Sequence, residues 1–489
     1  MQDWLQARAH ATPHKIALIT NPAPQYQDSV TFSQLDRQIN QMAKRWVNAG
    51  IKPGDHVGMV IPSFPLSIIQ IFTAMRMGVV FVPLNIRLTA TEITQQCIQA
   101  DCQWLLPYGT TYLLQELRAN GISIANLDKK PAKHQKTLFT NTIDLNKPFT
   151  IIHTSGTSGT PKGATLTYGN FFYSAMASAY RLGTLPDDRW LCALPLFHVG
   201  GLSIILRACL YGITVDLLER FDLDEINNKL STEPITLVSL VPTMLYRLLE
   251  QGTPEKWSHL RLVLLGGAAA TPELIEKANS AGIRVSTTYG LTEATSQVAT
   301  MLPEDVAQKP GSVGKPLMFT QIRIIDENND EQPAGEYGQV IVRGETVMQG
   351  YYNNPKANNR TLRDGWLHTG DIGYMDEDGD LFIVQRRTDL IVTGGENVYP
   401  AEVENILRAH TAVKEVAVVG VSDAEWGQRV ATMIVLKAKT DINTDELEGY
   451  IRKKLAGYKI PRLWRFVEAL PQTSSGKIER KRVVELLES

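Results

Sequence analysis

Residues Thr154–Gly163 read T-S-G-T-S-G-T-P-K-G and follow Phe149–His153, a β-branched and aromatic run that predicts a strand. Glycines let the backbone turn its N–H groups toward a ligand, and successive N–H groups form an anion-binding nest. The hydroxyl side chains add donors, and Lys162 adds a charge suited to phosphate. No G-K-[ST] opens a helix here, so the stretch is not a Walker loop. It predicts a phosphate-binding loop, although composition alone would also suit a flexible surface loop.

The size and charge of the chain set broad limits. Its 489 residues are too many for one core and predict roughly two to four domains. A hydrophobic fraction of 43% and a charged fraction of 20% are ordinary for a globular protein. The net charge of −2 gives no general attraction to nucleic acid, which is therefore not expected as a partner.

Targeting and redox signals point to a cytoplasmic protein. The N-terminus carries charges where a signal peptide needs an apolar core, and the apolar runs 67–84 and 191–218 are interrupted by charged residues. We therefore expect no stable membrane insertion. The four cysteines form no C-x-x-C pair and no zinc spacing, which predicts buried thiols in a reducing compartment. The sequence leaves open whether the protein forms a homo-oligomer.

The order of predicted elements indicates an α/β fold. Strand, helix and strand follow one another at 56–61, 66–77 and 79–83, and again at 260–265, 272–281 and 284–288, which is the βαβ order of a doubly wound sheet. A helix is predicted at 203–211, after the segment Leu196–Gly201. Beyond Gly311, short strands with Gly and Asp/Asn turns predict a small antiparallel sheet or barrel. From Asp389 a compact α+β pattern predicts a separate module.

Three further motifs carry chemistry. Gly266-Gly267-Ala268 follows an apolar strand, at the edge where open α/β sheets bind ligands, and small residues let a flat ring approach the backbone. Tyr289-Gly290-Leu291-Thr292-Glu293 offers a ring, a hydroxyl and a carboxylate in five residues. Asp371, in T-G-D, can accept hydrogen bonds from both hydroxyls of a cis-diol. An Asp in a glycine turn is also common for purely structural reasons.

These motifs, in this order, resemble those of the adenylate-forming superfamily, which includes acyl- and aryl-CoA ligases and adenylation domains. The resemblance covers nearly the whole chain and ends in two C-terminal motifs around Gly395 and Lys477. It implies a large N-terminal domain (1–387) of doubly wound sheets with a small β-barrel-like subdomain. It also implies a small mobile α+β C-terminal domain (388–489) that carries a catalytic lysine and lines the coenzyme A tunnel.

The resemblance implies ATP, Mg²⁺ and coenzyme A as ligands, and it assigns roles residue by residue. Tyr289 would stack on adenine, Thr292 would contact the α-phosphate, Glu293 would bind Mg²⁺ and Asp371 would bind ribose. Catalytic roles fall on Lys162, His198, Thr292 and Lys477. The nucleotide and coenzyme A contacts implied are Thr154, Ser155, Gly156, Thr157, Ser158, Gly159, Lys162, Gly266, Gly267, Ala268, Tyr289, Gly290, Thr292, Asp371, Arg386, Gly395 and Lys477.

The chain departs from the superfamily pattern at three positions. Ser158 stands for a threonine and keeps the hydroxyl, while Gln385 replaces a glycine. Thr388 occupies the hinge position, where aspartate or lysine is usual. Arg386 matches the arginine that contacts ribose and phosphate.

The segment Ala193–Leu202 and the N-terminal D-W-L-x-x-R-A-x-x-x-P resemble those of bacterial o-succinylbenzoate–CoA ligases of menaquinone synthesis. An aryl carboxylic acid is therefore the expected partner. His198 would lie beside the acid and Arg207 would meet its succinyl carboxylate, with Gly267 and Ser296 also near the acyl pocket. On the residues alone, His198 also suits a hydrogen-bonded wall position and Arg207 a surface cation.

Other readings share the nucleotide motifs. Another aryl- or fatty-acyl-CoA ligase would turn over benzoate or octanoate better than o-succinylbenzoate. A carrier-protein-loading enzyme would ignore free coenzyme A, and no carrier domain is present in this sequence. A catalytically dead nucleotide-binding protein is disfavoured because Glu293, Asp371, Arg386 and Lys477 are retained together.

Overall fold

The structure, a computed structural model, describes residues 1–20, 28–108, 122–127, 142–154, 161–385, 390–437, 442–471 and 478–489. The chain divides into two compact units. The first comprises Met1–Ile86, Cys97–Ile152 and Gly163–Gln385. The second is drawn from Arg87–Gln96, His153–Lys162 and Arg386–Ser489.

In the described part of the chain the α-helices are α1 (Trp4–Ala11), α2 (Phe32–Ala49), α3 (Pro65–Met77), α4 (Ala90–Gln99), α5 (Tyr168–Leu182), α6 (Val199–Tyr211), α7 (Leu223–Thr232), α8 (Pro242–Gln251), α9 (Pro272–Ser280), α10 (Pro355–Thr361), α11 (Pro400–Arg408), α12 (Thr444–Arg452) and α13 (Arg480–Glu488). The strands are β1 (Ile16–Thr20), β2 (Ser29–Thr31), β3 (His56–Val60), β4 (Val80–Leu84), β5 (Trp104–Leu106), β6 (Ser123–Ile124), β7 (Pro148–Thr154), β8 (Lys162–Thr167), β9 (Arg189–Cys192), β10 (Thr214–Leu217), β11 (Leu237–Leu240), β12 (Leu262–Leu265), β13 (Val285–Leu291), β14 (Ser296–Thr300), β15 (Lys315–Pro316), β16 (Thr320–Ile325), β17 (Gly338–Gly344), β18 (Gly350–Tyr351), β19 (Leu362–Arg363), β20 (Trp366–Met375), β21 (Leu381–Gln385), β22 (Ile391–Thr393), β23 (Glu396–Val398), β24 (Val413–Asp423), β25 (Gly427–Leu436) and β26 (Leu463–Phe466).

A nine-stranded sheet in the order β15-β14-β13-β12-β11-β9-β10-β1-β2 supports most of the candidate site. Its six central strands, from β13 to β1, pair in parallel. β11 and β12 are buried at every residue. Continuous apolar runs of this kind are typical of parallel strands that are covered on both faces. The predicted α/β fold is therefore confirmed.

A seven-stranded sheet in the order β18-β8-β7-β4-β3-β5-β6 includes the two strands that flank the phosphate loop in sequence. Helix α2 shows how the local sequence sets the start of a helix. Thr31 caps it in a capping box with Gln34. The apolar positions predicted to form one face of this helix are all buried, namely Leu35, Ile39, Met42, Ala43 and Trp46.

The smaller sheets confirm the change of pattern after Gly311. Strands β16, β17, β20, β19 and β21 pair antiparallel and pack on the core of the first unit through Ile324, Val340 and Leu367. In the second unit, strands β22 to β25 form an antiparallel sheet, to which β26 adds in parallel. Helices α11 and α13 pack on β24, which gives the predicted α+β arrangement.

The start of α6 differs from the prediction. The sequence predicted a helix from Ser203, with the glycine pair after His198 outside it, but the helix begins at Val199. Glycine is a poor helix former, so local propensity favoured the later start. Close packing requires glycine at position 201, because a Cβ on Gly201 would lie 2.3 Å from the carbonyl oxygen of Pro195.

The structure also bears on membrane-spanning helices and on the state of the cysteines. No helix among the described residues is long and apolar enough to cross a membrane. All four cysteines are buried free thiols, as predicted.

Candidate active site

The motifs of the first unit meet at the carboxyl edge of the nine-stranded sheet. Gly266–Ala268 directly follows β12, and Thr292 directly follows the neighbouring strand β13. His198 comes six residues after the end of β9, which lies two strands from β12 in the same sheet. Because parallel strands present their carboxyl ends on one side, this edge is where an α/β sheet binds ligands.

The glycines at this edge allow close backbone contacts. A Cβ on Gly290 would lie 1.7 Å from the carbonyl oxygen of Ser296, and one on Gly266 would lie 2.7 Å from the Thr288 Cγ2. Gly267 adopts a φ of +83°, which L-residues rarely adopt. These glycines are therefore required by the fold, in addition to any contact with a nucleotide.

The structure brings Tyr289 and Asp371 together although they lie in different sheets. The Tyr289 hydroxyl donates to Asp371 Oδ2 at 2.5 Å, and both residues are buried. The backbone N–H of Asp371 donates to the Thr369 hydroxyl, which in turn donates to the carbonyl of Val340. A ring and a carboxylate held this close suit the two ends of a nucleoside, its base and its ribose diol.

Glu293 lies in a single 3₁₀ turn, Thr292–Ala294, which follows β13. Its carboxylate is buried, and its Oε1 accepts a hydrogen bond of 2.7 Å from the Tyr351 hydroxyl. Sequence reasoning missed Tyr351. It lies 58 residues from Glu293, and no local pattern indicates that they meet.

Arg207 is buried in α6 and faces α5. Its Nη2 donates to the Ser174 hydroxyl at 3.1 Å, while its Nε lacks a hydrogen-bond partner. No carboxylate of the described residues pairs with it. Burial lowers the pKa of the Arg207 guanidinium, and the nearby Tyr211 opposes this effect. Arginine remains charged at neutral pH even so, which leaves a buried cation without a counter-ion from the described residues.

Ser174 also links Arg207 to the strand that carries Ser296. The Ser174 hydroxyl donates to the carbonyl oxygen of Thr295 at 2.8 Å. Thr295 and Ser296 both have positive φ, at 53° and 85°. Such backbone conformations are costly for residues with a side chain and occur often at functional sites. Sequence reasoning found Arg207 and Ser296 but missed Ser174, which joins them.

His198 is the N-terminal cap residue of α6, and its ring packs against Phe197 with centroids 4.6 Å apart. Arg8 caps the other end of the helix, because its guanidinium donates to the carbonyls of Cys209 and Leu210. The N-terminal motif that suggested an aryl-acid ligase therefore includes a residue that holds the helix of Arg207 in place.

Several predicted residues lie in the second unit or outside the described residues. Thr154 Oγ1 donates to the carbonyl of Lys162 at 3.4 Å. Gly395 lies in the turn between β22 and β23 with a φ of +83°. The other predicted contacts, Ser155, Gly156, Thr157, Ser158, Gly159, Arg386 and Lys477, as well as the hinge residue Thr388, lie outside the described residues.

His153, the residue before Thr154, has no partner for either ring nitrogen among the described residues. Burial lowers the pKa of His153 from its ordinary value of 6.5 to about 4. Protons therefore bind the unfolded state more strongly, so the stability present above pH 6.5 is lost as the pH falls toward 4.

We expect this group to remove about 2 kcal/mol of unfolding free energy between pH 7 and pH 5. His153→Phe should lose that much less stability over the same range. Urea unfolding at the two pH values measures the difference, with exposed His259→Phe as the control. An equal pH effect in wild type and His153→Phe would contradict the assignment.

Among the described residues, the side chains of Asp376, Asp378 and Asp380 are close enough to hold a metal ion. The Lys309 ammonium group already lies 2.6–2.8 Å from an oxygen of each. These hydrogen bonds raise the pKa of Lys309, so the group stays charged. The cluster is therefore an internal ion network rather than a metal site.

Comparison with known proteins identifies the family of the chain. The family model "AMP-binding enzyme" matches residues 5–352, and the model "AMP-binding enzyme C-terminal domain" matches residues 402–477. The chain is 38% identical over 484 residues to the 2-succinylbenzoate–CoA ligase of Bacillus pumilus, which covers 98% of this chain and 97% of that protein.

Solved structures of o-succinylbenzoate CoA synthetase from Bacillus subtilis are also similar. A double mutant bound with its product analogue OSB-NCoA superposes with a TM-score of 0.93 at 34% identity, covering 99% of this chain and 98% of that one. A complex of that enzyme with ATP and magnesium gives a TM-score of 0.75 at 34% identity, with full coverage of both chains. The family models together with these full-length similarities show that the chain belongs to the AMP-binding enzyme family.

Proposed function

We propose that this protein is an ATP-dependent, AMP-forming ligase that converts o-succinylbenzoate to o-succinylbenzoyl-CoA in menaquinone biosynthesis. Arg207 carries the choice of acid, because it is a buried cation without a carboxylate partner among the described residues. The full-length similarity to 2-succinylbenzoate–CoA ligases supports the same choice. Buried free cysteines suit a cytoplasmic location, which is part of the proposal.

In the first half-reaction, the acid carboxylate attacks the α-phosphate of ATP, which forms an acyl-adenylate and releases pyrophosphate. Phosphoryl chemistry of this type depends mainly on positioning and on charge stabilisation. Tyr289 and Asp371 hold the base and ribose, and Thr292 donates to the α-phosphate. Lys162 and the phosphate loop bind the phosphates.

Glu293 suits the magnesium ion that accompanies ATP. Its carboxylate is buried in the turn that directly follows β13, and carboxylate oxygen is the ligand type that Mg²⁺ prefers. The bound ion would neutralise charge on the phosphate oxygens during this half-reaction.

The succinyl carboxylate pairs with Arg207 while His198 lies beside the ring of the acid. Placing the second carboxylate in a buried pocket with a cation fixes the orientation of the reacting carboxylate. Ser296 and Gly267 form part of the surrounding wall. An acid without the second carboxylate would leave Arg207 uncompensated, which is the basis of discrimination.

In the second half-reaction the thiol of coenzyme A attacks the mixed anhydride, and AMP leaves. We assign residues 1–387 to nucleotide and acid binding, and residues 388–489 to a mobile domain with its hinge at Thr388. Lys477 and Arg386 then serve the adenylation half, and Gly395 lines the path of the pantetheine chain in the thioester half.

We expect purified protein with ATP and Mg²⁺ to release AMP and pyrophosphate, and to form a thioester with coenzyme A, at least tenfold faster with o-succinylbenzoate than with benzoate or octanoate. The physical reason is the buried charge pair, which only the first acid can form. A pyrophosphate-release assay over the acid panel measures this. Preference for octanoate would favour a fatty-acyl ligase, transfer only to a carrier protein would favour a loading enzyme, and ADP release would exclude the proposal.

A further inference from the structure

The hydrogen bond between Tyr351 and Glu293 indicates a residue that supports cation binding. Both side chains are buried, at 3% and 7% exposure, and the hydroxyl donates directly to Glu293 Oε1 at 2.7 Å. We propose that Tyr351 is a positioning residue, whose hydroxyl holds the Glu293 carboxylate in the orientation that binds the divalent cation accompanying ATP. This inference rests on the proposed function, because Glu293 acts as the cation ligand there.

The backbone of Tyr351 is held from two sides. The Asn358 side chain accepts from the Tyr351 N–H at 2.6 Å and donates to its carbonyl at 3.0 Å. On the other side, Tyr351 pairs with Ala164 in β8, the strand that follows the phosphate loop in sequence. A tyrosine with its backbone fixed in this way suits a site whose groups must be held to within about 0.5 Å.

The segment before Tyr351 also holds the turn that carries Glu293. The N–H of Met348 donates to the Glu293 carbonyl at 2.9 Å, and the Thr295 hydroxyl donates to the Thr346 carbonyl at 2.7 Å. The Asn170 side chain donates to the carbonyls of Glu345 and Val347. Glu293 is thus fixed at its backbone by this segment and at its carboxylate by Tyr351.

The hydrogen bond from Tyr351 leaves the Glu293 carboxylate able to bind a cation. An ionised carboxylate accepts about four hydrogen bonds or metal bonds, so one tyrosine donor leaves capacity for a cation. A neutral donor also removes rotational freedom from the carboxylate without neutralising its charge. Supporting groups of this kind typically change metal affinity by 10- to 100-fold when removed.

The test compares Tyr351→Phe with Tyr352→Phe, a neighbouring tyrosine whose hydroxyl donates to Asp101 at 3.0 Å at the surface. Binding of Mn²⁺ in the presence of a non-hydrolysable ATP analogue is followed by electron paramagnetic resonance. Tyr351→Phe should raise the Mn²⁺ dissociation constant about 10-fold, while Tyr352→Phe should leave it unchanged. Excess Mg²⁺ should restore adenylation by Tyr351→Phe.

A second comparison separates positioning from general damage to the fold. In a Glu293→Gln background, Tyr351→Phe should have no further effect on Mn²⁺ binding, because the carboxylate through which it acts is gone. An unchanged dissociation constant for Tyr351→Phe, or an equal loss in the Glu293→Gln background, overturns the inference. If wild type instead releases no AMP with any acid, the proposed function itself fails, and this outcome is distinct because Mn²⁺ binding needs no turnover.

Discussion

Lys477→Ala is expected to abolish acyl-adenylate formation while leaving thioester formation from preformed acyl-adenylate intact. The lysine ammonium would neutralise charge between the attacking carboxylate and the α-phosphate, and losing one such donor typically costs about 10²–10³ in rate. In the second half-reaction the bonds change at the acyl carbon rather than at phosphorus, so a lysine placed for attack on the α-phosphate should not be needed there. ATP–pyrophosphate exchange measures the first half, and thioester formation from synthetic acyl-adenylate measures the second.

Lys481→Ala is the matched control, since this exposed lysine lies four residues further on in α13. It should behave as wild type in both assays. An equal loss of both half-reactions in Lys477→Ala would show that the lysine supports binding or folding rather than adenylation. Full pyrophosphate exchange in Lys477→Ala would contradict its catalytic role.

Arg207→Met is expected to lower kcat/KM for o-succinylbenzoate by about 10²–10³, because one partner of a buried charge pair is lost. Turnover of benzoate, which lacks the second carboxylate, should not fall. The free protein should be no less stable than wild type, because removal of a buried cation without a counter-ion relieves a desolvation cost. Steady-state kinetics with both acids and thermal unfolding measure these effects.

Arg76 provides the contrasting case of a buried arginine with partners. Its guanidinium lies 2.9 Å from Asp3 Oδ2 and 2.7 Å from Asp36 Oδ1. Arg76→Met should therefore destabilise the protein by about 3–5 kcal/mol, because Asp3 is left buried and unpaired. If Arg207→Met were destabilised to the same extent, or lost benzoate turnover as well, Arg207 would be a structural residue rather than a carboxylate site.

The candidate nucleotide motifs could be identified in the sequence because each is contiguous. A phosphate loop needs glycines, hydroxyls and a cation within ten residues, and the five residues from Tyr289 supply a ring, a hydroxyl and a carboxylate at the end of one strand. Strand and helix order could be predicted for the same reason, since hydrophobic periodicity is a local property. The α/β fold and its small antiparallel sheet were confirmed on this basis.

Sequence reasoning was wrong where packing opposed local propensity. The helix was predicted to begin at Ser203, after the glycines, but it begins at Val199 and includes them. Glycine is needed at Gly201 because the Pro195 carbonyl leaves no room for a side chain. This error matters for the site, because it makes His198 the cap of the helix that carries Arg207.

The sequence alone therefore determined the reaction class and indicated the candidate nucleotide residues, because those groups lie close together along the chain. Only the tertiary structure decided that Arg207 is buried with Ser174, 33 residues away, and that Tyr351 holds Glu293. These contacts join different helices and strands, so they depend on sheet order and packing. Neither is encoded in any short stretch of residues.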